Sequence, residues 1–397
     1  MSQEAKLRAS GAQAGKTPPR ETRGIKLLDI SAFFALWRRA PAQFALRWRT
    51  DPVWRAARTR RGPDAPTAVL VGFSRWKTFI LDFLPDHNVV TLSHDGAAPL
   101  AAMEAVRKLS RPHVFTWSYN FAPDLALFCA RHGLPLTHVE DGFLRSLGLG
   151  VARSAPASLV FDDRAMHFDR LRPSRLEELL AAHDFDADPG LMRAAEDLAG
   201  LMRGRGLSKY NISAARRVEE VLTPGRRRVL ALGQVEDDLS IRYGAETPIT
   251  GNQLVMLAAR ENPDAQILYR PHPDVTSHAR PQYSDPALVA DLCTTLGPEF
   301  GIADCLDQAD LVYTATSLAG FEAALRGKPV VTLGAPFYAG WGITEDRLPI
   351  PRRTRRLTAL QILAGAYLLY PRYAGVSPEA GPRAILDLLP GLVADQA

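Results

Sequence analysis

The stretch THVEDGFLRSLGLG, Thr137 to Gly150, decides how the rest of the chain is read. An apolar, strand-like run from Leu134 to Val139 ends on two adjacent acids, Glu140 and Asp141, followed by Gly142, Arg145 and Ser146. In an open α/β sheet, ligands sit in the crevice beyond the carboxyl ends of the strands, so carboxylates at that place suit chemistry. Asp-Gly is also a common turn dipeptide, and an acid before it often only caps a turn. The surrounding chain has to decide between the two.

Upstream, AVLVGF (68–73), VVTLS (89–93) and HVFTWS (113–118) read as strands, and TFILDFL (78–84), LAAMEAVRKL (100–109) and DLALFCARHG (124–133) as helices, the last ending on glycine. SLVFDD (158–163) adds a further strand, and helical segments follow near 174–183 and 190–206. After the loop LSKYNIS and a turn at Thr223-Pro-Gly225, a second series begins. VLALGQ, QILYRPHP, LVYTAT and PVVTLG read as its strands, NQLVMLAARENP and SLAGFEAALRG as its helices. Such alternation predicts doubly wound parallel sheets. Two successive Rossmann-like halves joined near residue 223 predict an α/β protein of GT-B architecture, two Rossmann-like domains facing a cleft. The expected divisions are a basic extension at 1–62, a first Rossmann-like domain at 63–222, a second at 223–350, and C-terminal helices at 351–397.

The 397 residues, 46% hydrophobic and 23% charged, suit a globular protein of two domains, and no apolar run reaches membrane-spanning length. Cys129, Cys293 and Cys305 lie far apart and read as reduced thiols. No secretory signal is evident, so a cytoplasmic location is expected. Residues 1–61 carry 14 Lys and Arg against 4 Asp and Glu, whereas the remainder carries 34 against 39. Between Ile25 and Arg61, arginines interleave with aromatic and aliphatic residues, including three of the six tryptophans. That pattern fits an interfacial helix on an anionic membrane or a helix docked on the protein with its arginines outward. Nucleic acid is not an expected partner, because the rest of the chain is acidic and shows no nucleic-acid module.

In the second half, GQVEDDLSIRYG (233–244) places Gln234, Glu236, Asp237 and Asp238 at a strand exit. Acids there suit either a divalent ion or a solvated turn, and one loop does not make a metal site. YRPHPD (269–274) ends a strand with Arg270 and His272, donors suited to a phosphate. In TATSLAGFEAALRGKPVVTLG (314–334), Thr316 and Ser317 sit where a strand gives way to a helix. Their hydroxyls and the helix N-terminus can hold an anion, with Ser317 also a simple N-cap and Gly320 allowing close approach. No Walker A and no GxGxxG sequence is present.

The ordered set EDGFLRSLGLG, SKYN, GQVEDDLSIRYG, YRPHPDV and TSLAGFEAALRGKPVVTLGAPFYAGWG, spread over 137–342, resembles the KpsC/KpsS (LipA/LipB) family of capsule-biosynthesis proteins, which transfer 3-deoxy-D-manno-octulosonic acid (Kdo). The resemblance implies a CMP-Kdo donor and a lipid or glycolipid acceptor in assembly of the capsular polysaccharide linker, with acceptor and catalytic groups in the domain at 63–222 and the nucleotide donor in that at 223–350. It makes Asp141 the catalytic carboxylate and brings His272, Thr316 and Ser317 to the CMP phosphate. It assigns Glu140, Arg145, Ser146, Arg270, Gln234 and Asp238 to the same site. No metal and no separate cofactor are expected, because CMP departs as an anion held by protein donors. The KpsC type usually carries two transferase modules in tandem, and this chain has room for one. Expected partners beyond the substrates are the inner face of the membrane and proteins of capsule assembly and export. Alternatives left open are an inverting transfer with Asp141 as general base, transfer of another CMP-linked sugar, a non-catalytic glycolipid-binding role in export, and a sugar-nucleotide epimerase of the same shape.

Overall fold

The computed structural model describes residues 61–62, 64–74, 76–92, 106–121, 123–144, 156–204, 215–276, 283–377 and 380–394. The basic extension over 1–60, most of the expected helix at 100–109, Arg145, Ser146 and the SKYN loop lie outside them.

The first sheet is built from β1 (Thr67–Val71), β2 (Asn88–Leu92), β3 (Pro112–Trp117), β4 (Leu136–Asp141) and β5 (Ser158–Asp162). The second is built from β6 (Arg228–Leu232), β7 (Gln266–Arg270), β8 (Thr294–Thr295), β9 (Leu311–Thr314), β10 (Val330–Thr332) and β11 (Glu345–Asp346). A last strand, β12 (Pro371–Tyr373), returns to the first sheet, whose order is β12-β5-β4-β3-β1-β2. The second sheet runs β11-β10-β9-β6-β7-β8 and is parallel throughout. Its central strands are covered on both faces, which is why VLAL and LVYT read as continuous apolar runs.

The first sheet departs from the expected all-parallel form. β5 runs antiparallel to β4, and β12 antiparallel to β5. The segment after residue 351, expected as helices only, thus supplies a strand as well.

Among the described residues the helices longer than four residues are α1 (Pro123–His132), α2 (Arg175–Ala182), α3 (Pro189–Gly204), α4 (Leu239–Gly244), α5 (Gly251–Glu261), α6 (Ile302–Gln308), α7 (Leu318–Leu325), α8 (Ala359–Leu363, continuing as a π-helix over Ala364–Leu369) and α9 (Pro382–Ala394). The helix expected over 78–84 is a single turn, Ile80–Phe83. α1 stops as predicted on Gly133, whose φ of 62° suits a residue without Cβ. Among the described residues no helix is long and apolar enough to cross a membrane.

One large apolar cluster joins the halves. It packs Phe143, Leu180, Leu198 and Met202 of the first against Phe321, Phe337 and Trp341 of the second, together with Ile362, Tyr367 and Tyr373 from the returning segment. The halves are also stitched by hydrogen bonds from Arg170 N–H to Tyr243 O (3.1 Å) and from Arg170 Nε to Ala245 O (3.1 Å). The arginines of the loop PRRTRR serve the same purpose. Arg353, buried, donates to Glu177 of α2 and to the carbonyls of Pro336 and Ala339, while Arg352 reaches Glu177 and Arg170 O. Arg355 holds the last carbonyl groups of α2, including His183 O at 2.6 Å.

Candidate functional site

Between the halves lies a cavity of about 340 Å³. Its first wall is the exit of β4, with Glu140, Asp141, Gly142 and Phe143. Successive strand residues face opposite sides of a sheet, so Glu140 and Asp141 project from opposite faces at one strand end. Glu140 Oε1 accepts the Asp141 N–H at 3.0 Å. Gly142 is not a turn glycine of positive φ. It lies so close to β5 that a Cβ there would stand 2.1 Å from Ser158 Oγ. Its N–H binds Ser158 O at 2.9 Å, and Ser158 Oγ donates to Leu144 O at 2.6 Å. The glycine after the acids thus seats the strand end against its neighbour and fixes the backbone of Asp141.

The opposite wall is built where the second sheet changes winding direction. β6 has β7 on one side and β9 on the other, and the crevice at such a switch point is the ligand place of doubly wound sheets. Gln234, just past β6, spans this crevice to Thr316, just past β9. Its Nε2 donates to Thr316 Oγ1 (2.9 Å) and its Oε1 accepts the Thr316 N–H (2.7 Å). Thr316 Oγ1 donates onward to Ser240 Oγ at 3.3 Å. Ser317 caps α7 by accepting the Ala319 N–H at 3.3 Å, and the Tyr338 hydroxyl fixes its carbonyl at 2.5 Å. Gly320 does allow close approach, since a Cβ would meet Tyr338 Oη at 2.3 Å. The result is a helix N-terminus with its polar side chains locked and its dipole pointing into the cavity.

His272 comes from the exit of β7, between Pro271 and Pro273, which also line the cavity. Its Nδ1 accepts the Asp274 N–H at 3.1 Å. An accepting Nδ1 carries no proton, so the neutral ring holds its proton on Nε2, the tautomer that can donate to a phosphate oxygen.

All the expected site residues within the described region line this one cavity: Glu140, Asp141, Gln234, Asp238, Arg270, His272, Thr316 and Ser317. They do not all face it in the same capacity. Arg270 is buried and donates to Leu296 O (3.0 Å) and Gly297 O (2.7 Å), tying down the loop after β8, and burial holds its guanidinium below the ordinary value. Asp238 caps α4 by accepting the Ser240 N–H at 2.8 Å. Of the acids beside it, Glu236 accepts from Gly251 N (2.7 Å) and from the Ser284 hydroxyl, and Asp237 from the Tyr283 hydroxyl (3.2 Å). Among the described residues no group of three or more His, Cys, Asp or Glu is arranged to hold a metal ion.

The cavity also holds residues that motif reading missed: His167, Phe168, Ser240 and Glu322. Glu322 had a signal in the sequence, as the one charged residue of the apolar helix LAGFEAAL, and it is buried. His167 had none. Below Glu140 on β4, His138 is buried and hydrogen-bonded to Thr116 Oγ1 at 2.8 Å. Burial, then the Arg172 charge, brings its pKa down to about 4, so it is neutral across the physiological range.

The sequence profile of the family described as "Capsule polysaccharide biosynthesis protein" matches residues 117–211 and 187–374. A lipopolysaccharide-processing protein of Rhizobium meliloti, LpsZ, is 39% identical over 321 residues, 81% of this chain and 72% of that protein. The capsule polysaccharide modification protein LipA of Neisseria meningitidis serogroup B is 38% identical over 311 residues, 78% of this chain, which spans only 43% of LipA. Among solved structures, a β-Kdo 2,4 transferase of Thermosulfurimonas dismutans KpsC matches with TM-score 0.63 and 32% identity, covering 83% of this chain and 98% of that one. A β-Kdo 2,7 transferase of the same KpsC matches with TM-score 0.61 and 30% identity, covering 82% and 99%. With the two facing sheets, these matches establish the GT-B fold, and the chain belongs to the capsule polysaccharide biosynthesis protein family, in its KpsC/LipA-like branch.

Proposed function

We propose that this protein is a glycosyltransferase that moves Kdo from CMP-Kdo to a glycolipid acceptor during synthesis of the capsular polysaccharide linker, with retention at the anomeric carbon. The observation that carries the reading is the pairing, across one cavity of about 340 Å³, of the Asp141 strand end with the anion-ready α7 N-terminus and His272. In the first step an Asp141 carboxylate oxygen attacks the anomeric carbon as the bond to the CMP phosphate breaks and its electron pair leaves with the phosphate. His272 Nε2–H and the α7 N-terminus at Ser317 receive the charge that develops on the phosphate oxygens. In the second step the acceptor hydroxyl attacks the same carbon from the opposite side, its proton leaves to a base, and the Asp141 carboxylate is released, giving net retention. Gln234 keeps Thr316 in place throughout, so the donor side is organised before the donor arrives.

The test is transfer from CMP-Kdo, generated in situ, to a synthetic Kdo-terminated lipid, followed by mass spectrometry of product and enzyme. A product one Kdo heavier, absent with Asp141→Asn and His272→Ala, together with an adduct on the peptide containing Asp141, is the expected result. Near-wild-type transfer by Asp141→Asn would overturn the assignment. Transfer of a different CMP-linked sugar alone would keep the mechanism and change the donor.

A further inference from the structure

We propose that Phe143 and Phe337 form an aromatic bridge that positions Asp141 against the α7 N-terminus; this rests on the transferase reading above. The attacking carboxylate and the groups that receive the departing phosphate are then set as one unit, with no closure of the cleft needed to bring them together. β4 ends at Asp141, and Gly142 ties the backbone to Ser158. The next residue leaves the first sheet altogether. Phe143 is buried with its ring 4.4 Å from that of Phe337, in the second half, and stacked at 5.3 Å on Tyr367 of the returning segment.

From Phe337 the path continues in two ways, and both end on α7. The Phe337 ring meets Phe321 of α7 at 5.2 Å, and Phe321 stacks in turn on Tyr338 (5.6 Å) and Tyr367 (6.0 Å). Along the chain, the residue after Phe337 is the buried Tyr338, whose hydroxyl donates to Ser317 O at 2.5 Å. Asp141 and Ser317 are thus joined through two short stretches of backbone, one aromatic contact and one hydrogen bond. Phe143 and Phe337 also line the cavity itself.

Buried side chains pack as densely as organic crystals, so a path of this kind transmits a displacement rather than absorbing it. Contacts between rings also favour particular orientations. The halves are gripped at another place by Tyr119, after β3, edge-on to Tyr243 of α4 at 4.7 Å. With both contacts in place, packing presets the distance from the Asp141 carboxylate to a phosphate seated at Ser317. That distance matters, because a reacting group misplaced by about 1 Å can lose about 100-fold in rate.

The test compares Phe143→Leu and Phe337→Leu with a control, Phe185→Leu. Phe185 is buried in the same apolar cluster but packs beside Gly365 and Arg355, off the path. Hydrogen exchange of the free protein is read first. Phe143→Leu is expected to speed exchange in the first turn of α7, and Phe337→Leu in the peptide 139–142, each across the cleft from the substitution. Phe185→Leu lowers the melting temperature but leaves both segments as in the wild type. With CMP-Kdo, the single-turnover rate of adduct formation on Asp141 is expected to fall about 10-fold or more in both bridge variants, with CMP affinity unchanged. Phe337→Met, which keeps more of the volume, is expected to fall between, and it serves if the leucine variants do not fold. Wild-type exchange across the cleft or a wild-type adduct rate in the folded bridge variants, or an equal effect of Phe185→Leu, overturns the proposal. Absence of any adduct in the wild type, with the exchange effects present, would instead count against the transferase reading and leave the bridge standing.

Discussion

Replacing Glu177 by alanine removes the carboxylate that joins α2 to the returning segment. Glu177 Oε2 takes Arg353 Nε at 2.8 Å and Arg352 Nη2 at 3.1 Å, and the side chains of Glu177 and Arg353 are 7% and 2% exposed. Arg352, 30% exposed, can turn to water, so its loss costs little. Arg353 cannot. It keeps the carbonyls of Pro336 and Ala339, each at 2.7 Å, but its charge is left with no carboxylate in contact, only Asp346 acting at longer range. Breaking a buried pair in this way costs about 3–5 kcal/mol, and the two surviving carbonyl bonds argue for about 3. Glu177→Gln, which keeps an acceptor oxygen but not the charge, is expected to fall between. Urea denaturation followed by tryptophan fluorescence is the assay, since Trp341 lies 5.6 Å from the Arg353 guanidinium. Because the cost lies in the unpaired charge, Glu177→Leu with Arg353→Met should recover most of the stability. The reasoning fails if Glu177→Ala costs less than about 1 kcal/mol, or if the double variant is no more stable than the single one.

Gln234→Ala frees Thr316 on both its oxygen and its N–H, and losing that preset geometry is expected to weaken CMP binding about 10-fold, the equivalent of one or two hydrogen bonds; an unchanged CMP affinity by calorimetry would show that the clamp does not organise the donor side. The buried His138 and the half-buried His113 set a pH limit: burial, then the His87 charge, brings His113 down to about 4, matching His138, from an ordinary value of 6.5. Below 6.5 the unfolded chain binds protons that the folded one refuses, so their stabilising contribution is present above about pH 6.5 and is lost as pH falls toward 4. Between pH 7 and pH 5 His138 is expected to cost about 2 kcal/mol and the more exposed His113 less; a melting temperature that falls less over that interval in His138→Asn than in the wild type, and stays nearly level when His113→Asn is added, would assign the loss to them.

The alternation of strands and helices was legible because strands buried on both faces must be apolar along their whole length, as in β1 and β9. The direction of SLVFDD was not, since nothing in six residues distinguishes a parallel from an antiparallel neighbour; β5 runs antiparallel to β4 and to β12, the latter a strand of three residues between a π-helix and a loop. Site residues that interrupt an apolar run, such as Asp141 and Thr316, stood out. The Gln234–Thr316 clamp joins residues 82 apart and the Glu177–Arg353 pair residues 176 apart, and no local pattern marks either. The role of Gly142 was not legible for a related reason: its sequence neighbours are compatible with a turn, while the atom that demands glycine, Ser158 Oγ, comes from another strand.

The late return of β12 bears on how the chain is made. During synthesis β5 emerges with one flank unpaired, and its partner follows about 200 residues later, a wait of roughly 10–40 s at ordinary elongation rates. For that interval a row of backbone donors and acceptors on Ser158–Asp162 is open to any passing strand. The first half of the protein therefore leaves the ribosome as a template missing its final rung, and the nascent chain depends on keeping that edge covered until Pro371–Tyr373 arrives.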